Sequence, residues 1–225
     1  MTGESLQPGS RPSPQPGGRR PAPGVLEPVQ AFINTHYDLE RDHGAELFGA
    51  PGAPGALGDW LRRRGLLSDS ERLGDRDLRR ALSARESLRE LARANTFSSG
   101  LAVPGLVLPG WAGPGPAGGP ESARAALNEA AAGAIVALCF TPEGPRYLTP
   151  ADAGLDGALG TLLAGAAQAM LDGSWGRLKI CPGVDCGWAF YDHSRNQGGR
   201  WCSMSVCGGR AKARSHYQRR RDREA

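Results

Sequence analysis

Four of the chain's five cysteines fall in one C-terminal stretch, as the pairs Cys181/Cys186 and Cys202/Cys207. Each pair encloses four residues, and fifteen residues separate the two pairs. Zinc takes soft ligands in a tetrahedron, and two short cysteine loops brought face to face supply that geometry. Pro182 and Gly183 turn the first loop, whereas the second leads into an expected helix. Four thiolates leave no coordination position for a reacting water, so one structural zinc is the expected occupant. A redox dithiol pair, an iron–sulfur cluster and His193 in place of one sulfur are the competing chemistries. Cys139, inside the apolar run AIVALCF, is expected in a core.

The charge beside these cysteines points to a partner. Residues 177 to 225 carry eleven Lys/Arg against four Asp/Glu, whereas residues 1 to 176 carry sixteen against nineteen. A surplus confined to one end attracts polyanions. Of the 27 basic residues 25 are Arg, so position says more than number. At 100° per residue Arg210, Arg214, Tyr217 and Arg221 form one helical stripe, and Lys212, Arg219 and Arg223 form another nearly opposite, with His216 beside it. Either could follow a phosphate backbone. Arg195 and Arg200, with Ser194 and Asn196 as hydrogen-bond donors, extend the anion surface into the preceding loop. Two other readings stand beside DNA binding. The arginines could be solvated or offset the net charge of four thiolates and one zinc, or they could meet an acidic protein.

These residues need elements to hold them. The first 24 residues hold six Pro and five Gly and are expected to be disordered. An α+β domain is expected over 25–172, mostly helical with a short antiparallel sheet, followed over 177–222 by a small zinc-finger module of hairpin plus C-terminal helix. Helices are expected in PVQAFINTHYDLERD, over 56–64 with Gly65 as C-cap, and over Asp75–Asn95, where Leu78, Ala81, Leu82, Ala84, Leu88, Leu91 and Ala92 share a face. Residues 104–120, eleven of seventeen Gly or Pro, read as a flexible loop. ESARAALNEAAA restarts a helix, AIVALCF and PRYLTP pair as strands, and DGALGTLLAGAAQAMLDG is a helix that Gly173 ends. Ile180, Trp188, Phe190 and Tyr191 suggest a hairpin.

The stretch FYDHSRNQGGRWCSMSVCGGRAKARSHYQRR resembles the CGNR zinc finger of bacterial transcription regulators. The likeness rests on the four cysteines, Asp192, Ser194, Arg195, Asn196, Arg200, Trp201, Ser203, Met204, Gly208, Arg210 and Lys212. Where that motif has Asn, this chain has Gly209. Upstream, FINT at Phe32–Thr35, LGDWLRRRGLL at Leu57–Leu67 and ARESLRELARAN at Ala84–Asn95 resemble the ABATE domain that commonly precedes such a finger. The resemblance implies a bacterial transcription regulator that binds DNA through the finger; the charge pattern itself makes Arg195, Asn196, Arg200, Arg210, Lys212, Arg214, Arg219 and Arg221 the candidate contacts, and a cytoplasmic location is expected from the composition.

If the tail contacts DNA, the upstream domain has room for a small-molecule effector, and a homodimer is compatible with the sequence. Arg85, inside an apolar helix face, and Asn34 are the candidate ligand contacts. The competing roles are pairing of Arg85 with an acid such as Glu86 or Glu40 and capping by Asn34 and Thr35. His36 and His43 read as surface residues. An enzyme is not expected: the glycines of PGWAGPGPAGG lack the following Lys-Ser/Thr, and neither a G-x-S-x-G elbow nor a His-Glu-x-x-His helix occurs. No export signal or membrane span is expected.

Overall fold

The computed structural model describes residues 15–37, 45–49, 52–98, 119–141, 144–184 and 186–224. Among them are helices α1 (Leu26–Ile33), α2 (Ala53–Arg63), α3 (Asp75–Ser98), α4 (Gly119–Ala130), α5 (Gly154–Leu171) and α6 (Gly209–Glu224). The strands form three antiparallel pairs: β1 (His36–Tyr37) with β2 (Ala45–Glu46), β3 (Val136–Thr141) with β4 (Gly144–Pro150), and β5 (Leu178–Ile180) with β6 (Ala189–Tyr191). The architecture is α+β, as expected.

The spine is α3, which packs against α1, α2, α4, α5 and β5. Its expected face is buried at Ala81, Ala84, Leu88, Leu91 and Ala92, with Leu78 and Leu82 packed against the rim. It runs past the expected end at Asn95 because Thr96 is itself buried, exchanging hydrogen bonds with the backbone of Ile180. The apolar α5 comes close to the start of α1. A side chain at Gly165 would put its Cβ 2.8 Å from the Val25 carbonyl oxygen, so glycine is required there.

Three expectations change. The first helix ends at Ile33, well short of the stretch proposed for it, because Thr35 turns back to donate to the Phe32 carbonyl and the chain continues as β1. Cys139 is half-buried, on a hairpin that leaves Leu138 and Phe140 open to solvent. Of the expected 104–120 loop, Gly119 and Pro120 open α4 and the rest lies outside the described residues.

Packing continues across residues 172–177, between the two expected domains. Strands β5 and β6 pair Leu178 with Tyr191, Lys179 with Phe190 and Ile180 with Ala189. Successive side chains of a strand point to opposite faces. Leu178, Ile180, Ala189 and Tyr191 therefore join the same core as α1, α3 and α5, while Phe190 joins the cysteines in a second cluster. One hairpin is thus a wall of both cores.

The segment 15–24, expected to be part of a disordered tail, is placed against the finger. Its composition supplies little apolar surface, but its polar groups find distant partners. Arg19 donates to the carbonyls of Cys202, Trp201 and Tyr191, and its guanidinium lies 4.9 Å from the Phe190 ring centroid. Trp188 donates to the Gln15 side chain, His193 Nε2 lies 3.0 Å from the Pro21 carbonyl oxygen, and Gly17 rests on Ser203. Residues 1–14 lie outside the described part.

Candidate metal centre and nucleic-acid interface

The first cysteine loop leaves β5, and the second runs from Cys202 into a π-helical turn, Met204–Gly208, that continues as α6. Ser203 caps this turn, its hydroxyl accepting from Val206 N and its carbonyl from Cys207 N and Gly208 N. Gly183 lets the loops close, since a Cβ there would sit 3.1 Å from Cys207 Sγ.

The four Sγ atoms of Cys181, Cys186, Cys202 and Cys207 all lie within 4.8 Å of one another. Cys186 to Cys202 and Cys202 to Cys207 are both 3.6 Å. Sulfurs about 2.3 Å from a central ion define a tetrahedron with edges of about 3.8 Å. A disulfide would bring them to about 2.05 Å. All four side chains are buried and none is bridged. The donor set and its spacing fit one structural zinc. His193, the sequence alternative for a ligand, engages the Pro21 carbonyl instead.

The positive charge of Arg210 acts on Cys207 in the direction that favours its thiolate. Arg210 is half-buried at the start of α6. Lys212, Arg214, Arg219 and Arg221 are exposed along α6.

The loop before Trp201 is fixed by a buried ion pair that sequence reasoning missed. Lys179 Nζ lies 3.0 Å from Asp192 Oδ2, each side chain 1 % exposed, and also donates to the Gln197 and Gly199 carbonyls. Asp192 accepts in addition from Ser194 N, Ser194 Oγ and Gly199 N. Burial alone would raise the Asp192 carboxyl, but these donors outweigh it and hold it at about 2. The signal available was that Lys179 is one of two lysines in an arginine-rich chain. The Ser194 hydroxyl is therefore committed to Asp192 rather than to a phosphate. Arg195 and Asn196 are exposed at the loop tip, and Asn196 accepts from Gly198 N. Arg200 is half-buried, 5.9 Å from the Trp201 ring centroid. Trp201 in turn packs near Gly208, which ties the loop to the base of α6.

Residues 177–220 match the sequence model of the CGNR zinc finger. Residues 26–174, or 149 of the 225, match that of ABATE, described as "Putative stress-induced transcription regulator". The chain belongs to the ABATE family. A search of curated proteins finds no match.

In this ABATE protein both candidate ligand residues of the upstream domain are engaged by other groups of the chain. Arg85 is 1 % exposed and its donors are taken: Nε by Glu86, Nη1 by Glu46 and Thr35, Nη2 by Glu46. Pairing with Glu86 was anticipated; Glu46 takes the place of Glu40, which lies outside the described residues, as does His43. Asn34 exchanges two hydrogen bonds with the backbone of Ala189, clamping α1 of the ABATE domain to β6 of the finger. His36 is drawn in by Glu86, 3.3 Å away. Arg89, also missed, spans the two parts: it donates to Glu86, to the carbonyls of Ile33 and His36, and to that of Gly187 in the finger. The arginine-rich cleft lies elsewhere, a space of about 630 Å³ lined by Arg76, Arg79, Arg80, Glu129 and Asp156 among others. Among the described residues no helix is long and apolar enough to cross a membrane.

Proposed function

We propose that this ABATE protein is a cytoplasmic bacterial transcription regulator, not an enzyme, that binds DNA through the CGNR finger. The supporting observation is the pairing of a rigid base with an exposed cation array. Helix α6 carries seven Lys/Arg against two acidic residues and rises directly from a four-cysteine centre. A buried, closed ligand set holds the base of the helix still, which lowers the entropy lost on docking. Phosphate contacts of this kind set affinity and its salt dependence. The effector, on this reading, is a small polar molecule taken by the cleft between α3, α4 and α5 rather than by Arg85.

One observation favours a second reading, a zinc-stabilised module that binds protein. Ile135, Leu138 and Phe140 are more than half exposed in and beside β3. Titration of the full-length, zinc-loaded chain with labelled duplex DNA at two salt concentrations separates the readings. Micromolar or tighter binding that falls by about 10³-fold or more between 50 and 200 mM salt supports the DNA reading. Absence of binding by protein that retains its zinc transfers support to the protein-binding module.

A further inference from the structure

The cations of α6 are distributed in a way that constrains the shape of the anion they meet. At 100° per residue, Arg214 and Arg221 lie within about 20° of each other, with Tyr217 between them in the same row. Lys212, Arg219 and Arg223 lie in a second row roughly 170° away. All six side chains are exposed. The helix packs chiefly against the Met204–Gly208 turn that precedes it, so both rows are open.

A flat partner reaches one side of a helix, and the opposite row would then face solvent. The helix also lacks an apolar face, Tyr217 being its one large hydrophobic side chain. That argues against an in-plane helix on a lipid surface, which buries an apolar stripe, and against a coiled coil, which needs an apolar seam. Opposed cation rows suit a trough with anions on both walls. The major groove of B-form DNA is about 12 Å wide and admits a helix about 10–12 Å across. The major groove of A-form RNA is too narrow for one.

We propose that α6 lies along the major groove of a B-form DNA duplex, with Arg214 and Arg221 against the phosphates of one strand and Lys212, Arg219 and Arg223 against those of the other. This rests on the finger being a DNA-binding module and adds how it docks. It also assigns Arg223 to the interface and separates Arg210, which sits back against the metal centre.

The test uses the full-length zinc-loaded protein, a mixed-sequence DNA duplex of about 20 base pairs, and affinities measured from about 50 to 300 mM salt. Two double variants, R214Q/R221Q and R219Q/R223Q, each remove two charges from one row. All four side chains are exposed, so zinc content and melting temperature should match the parent, and R214K/R221K keeps the charge as a control. Each Gln pair is expected to reduce the slope of log affinity against log salt by about 2, whereas the Lys pair leaves it within about half a unit. An RNA duplex of the same sequence is expected to bind at least about tenfold more weakly. If one Gln pair changes the slope and the other does not, or if RNA binds as tightly as DNA, groove insertion is overturned while the DNA-binding reading stands. If the parent shows no salt-dependent DNA binding, both fall together.

Discussion

Arg19 Nε donates to the carbonyl oxygen of Cys202 at 2.9 Å, across 183 positions of sequence. The same guanidinium reaches the carbonyls of Trp201 and Tyr191, so a single side chain ties the N-terminal segment to a metal-ligating residue and to β6. Groups that orient first-layer ligands typically change metal affinity by about 10- to 100-fold when removed. R19A is expected to weaken zinc affinity by about tenfold, measured by competition with a chromophoric chelator, and to raise amide exchange across residues 15–22. R19K should recover little, because an ammonium cannot present the planar fork that spans three carbonyls. Unchanged zinc affinity in R19A would reduce the segment to a passive cover.

Because hairpin β5–β6 lines both cores, the finger and the helical domain are expected to unfold together. Removing a zinc ligand frees β5 and β6, and their inward residues Leu178, Ile180, Ala189 and Tyr191 are part of the main core. C202S is expected to lose zinc and to lower the melting temperature of the whole chain in a single transition, read by calorimetry and far-UV circular dichroism together. For the same reason an isolated 177–225 fragment should bind zinc yet stay poorly ordered, with narrow amide dispersion in its NMR spectrum. Two well-separated transitions in C202S would show that the two parts fold independently.

What could be seen in advance follows from how far apart the interacting residues lie in sequence. The metal centre was legible because its ligands come as two local pairs with loop residues between them. Helix α3 was legible because its apolar period is local too. The ion-pair network was not. Arg85 registered as an oddity on that period, but its bidentate partner Glu46 is 39 positions away. The docking of residues 15–24 on the finger was invisible for a related reason. Pro and Gly offer no apolar surface to detect, and what holds the segment is Gln15, Arg19 and Pro21 meeting partners some 170 positions on. Lys179 and Asp192 pair across one hairpin, yet alternation alone did not say that both would be buried.

Gly209 stands where the finger's motif carries Asn, and the backbone does not require glycine there. Its φ is −62° and ψ −46°, ordinary helical values. A Cβ would approach no atom closer than 3.6 Å, the Met204 carbonyl oxygen. G209A is therefore expected to stabilise the protein by about 0.4–1 kcal/mol through the unfolded chain, measured by urea denaturation. G209N should fold and hold zinc like the parent. If G209N instead tightens DNA binding severalfold at fixed salt, the amide acts on the partner. A destabilised G209A would reveal a crowding that the geometry does not contain.

Glu86 is the hinge of the buried charge network. Its Oε1 accepts from Arg85 Nε at 2.8 Å and lies 3.3 Å from His36 Nδ1, and its Oε2 accepts from Arg89 Nε at 2.9 Å. Burial is the largest single influence on this carboxyl and pushes it up. The His36 hydrogen bond and the charges of Arg89 and Arg85 together overcome that and hold it at about 2, down from an ordinary 4.5. A carboxylate depressed in the folded state stabilises fully above its unfolded value and loses that contribution as pH falls toward the folded one. The window is thus about pH 4.5 to 2, and the linked stability is on the order of 3 kcal/mol. E86Q leaves Arg85 paired with Glu46 and takes from the buried Arg89 the Glu86 carboxylate 2.9 Å from its Nε, so at pH 7 it should lose about 3–5 kcal/mol. Acid also strips zinc from thiolates, which would depress parent and variant alike. The informative quantity is therefore the stability gap between E86Q and the parent at each pH, with zinc content measured alongside. That gap should be constant from pH 7 to about 5 and close as pH falls below 4.5. A gap that stayed open through pH 3, or one that was absent at pH 7, would show that the Glu86 charge does not hold α3 to β1 and the finger.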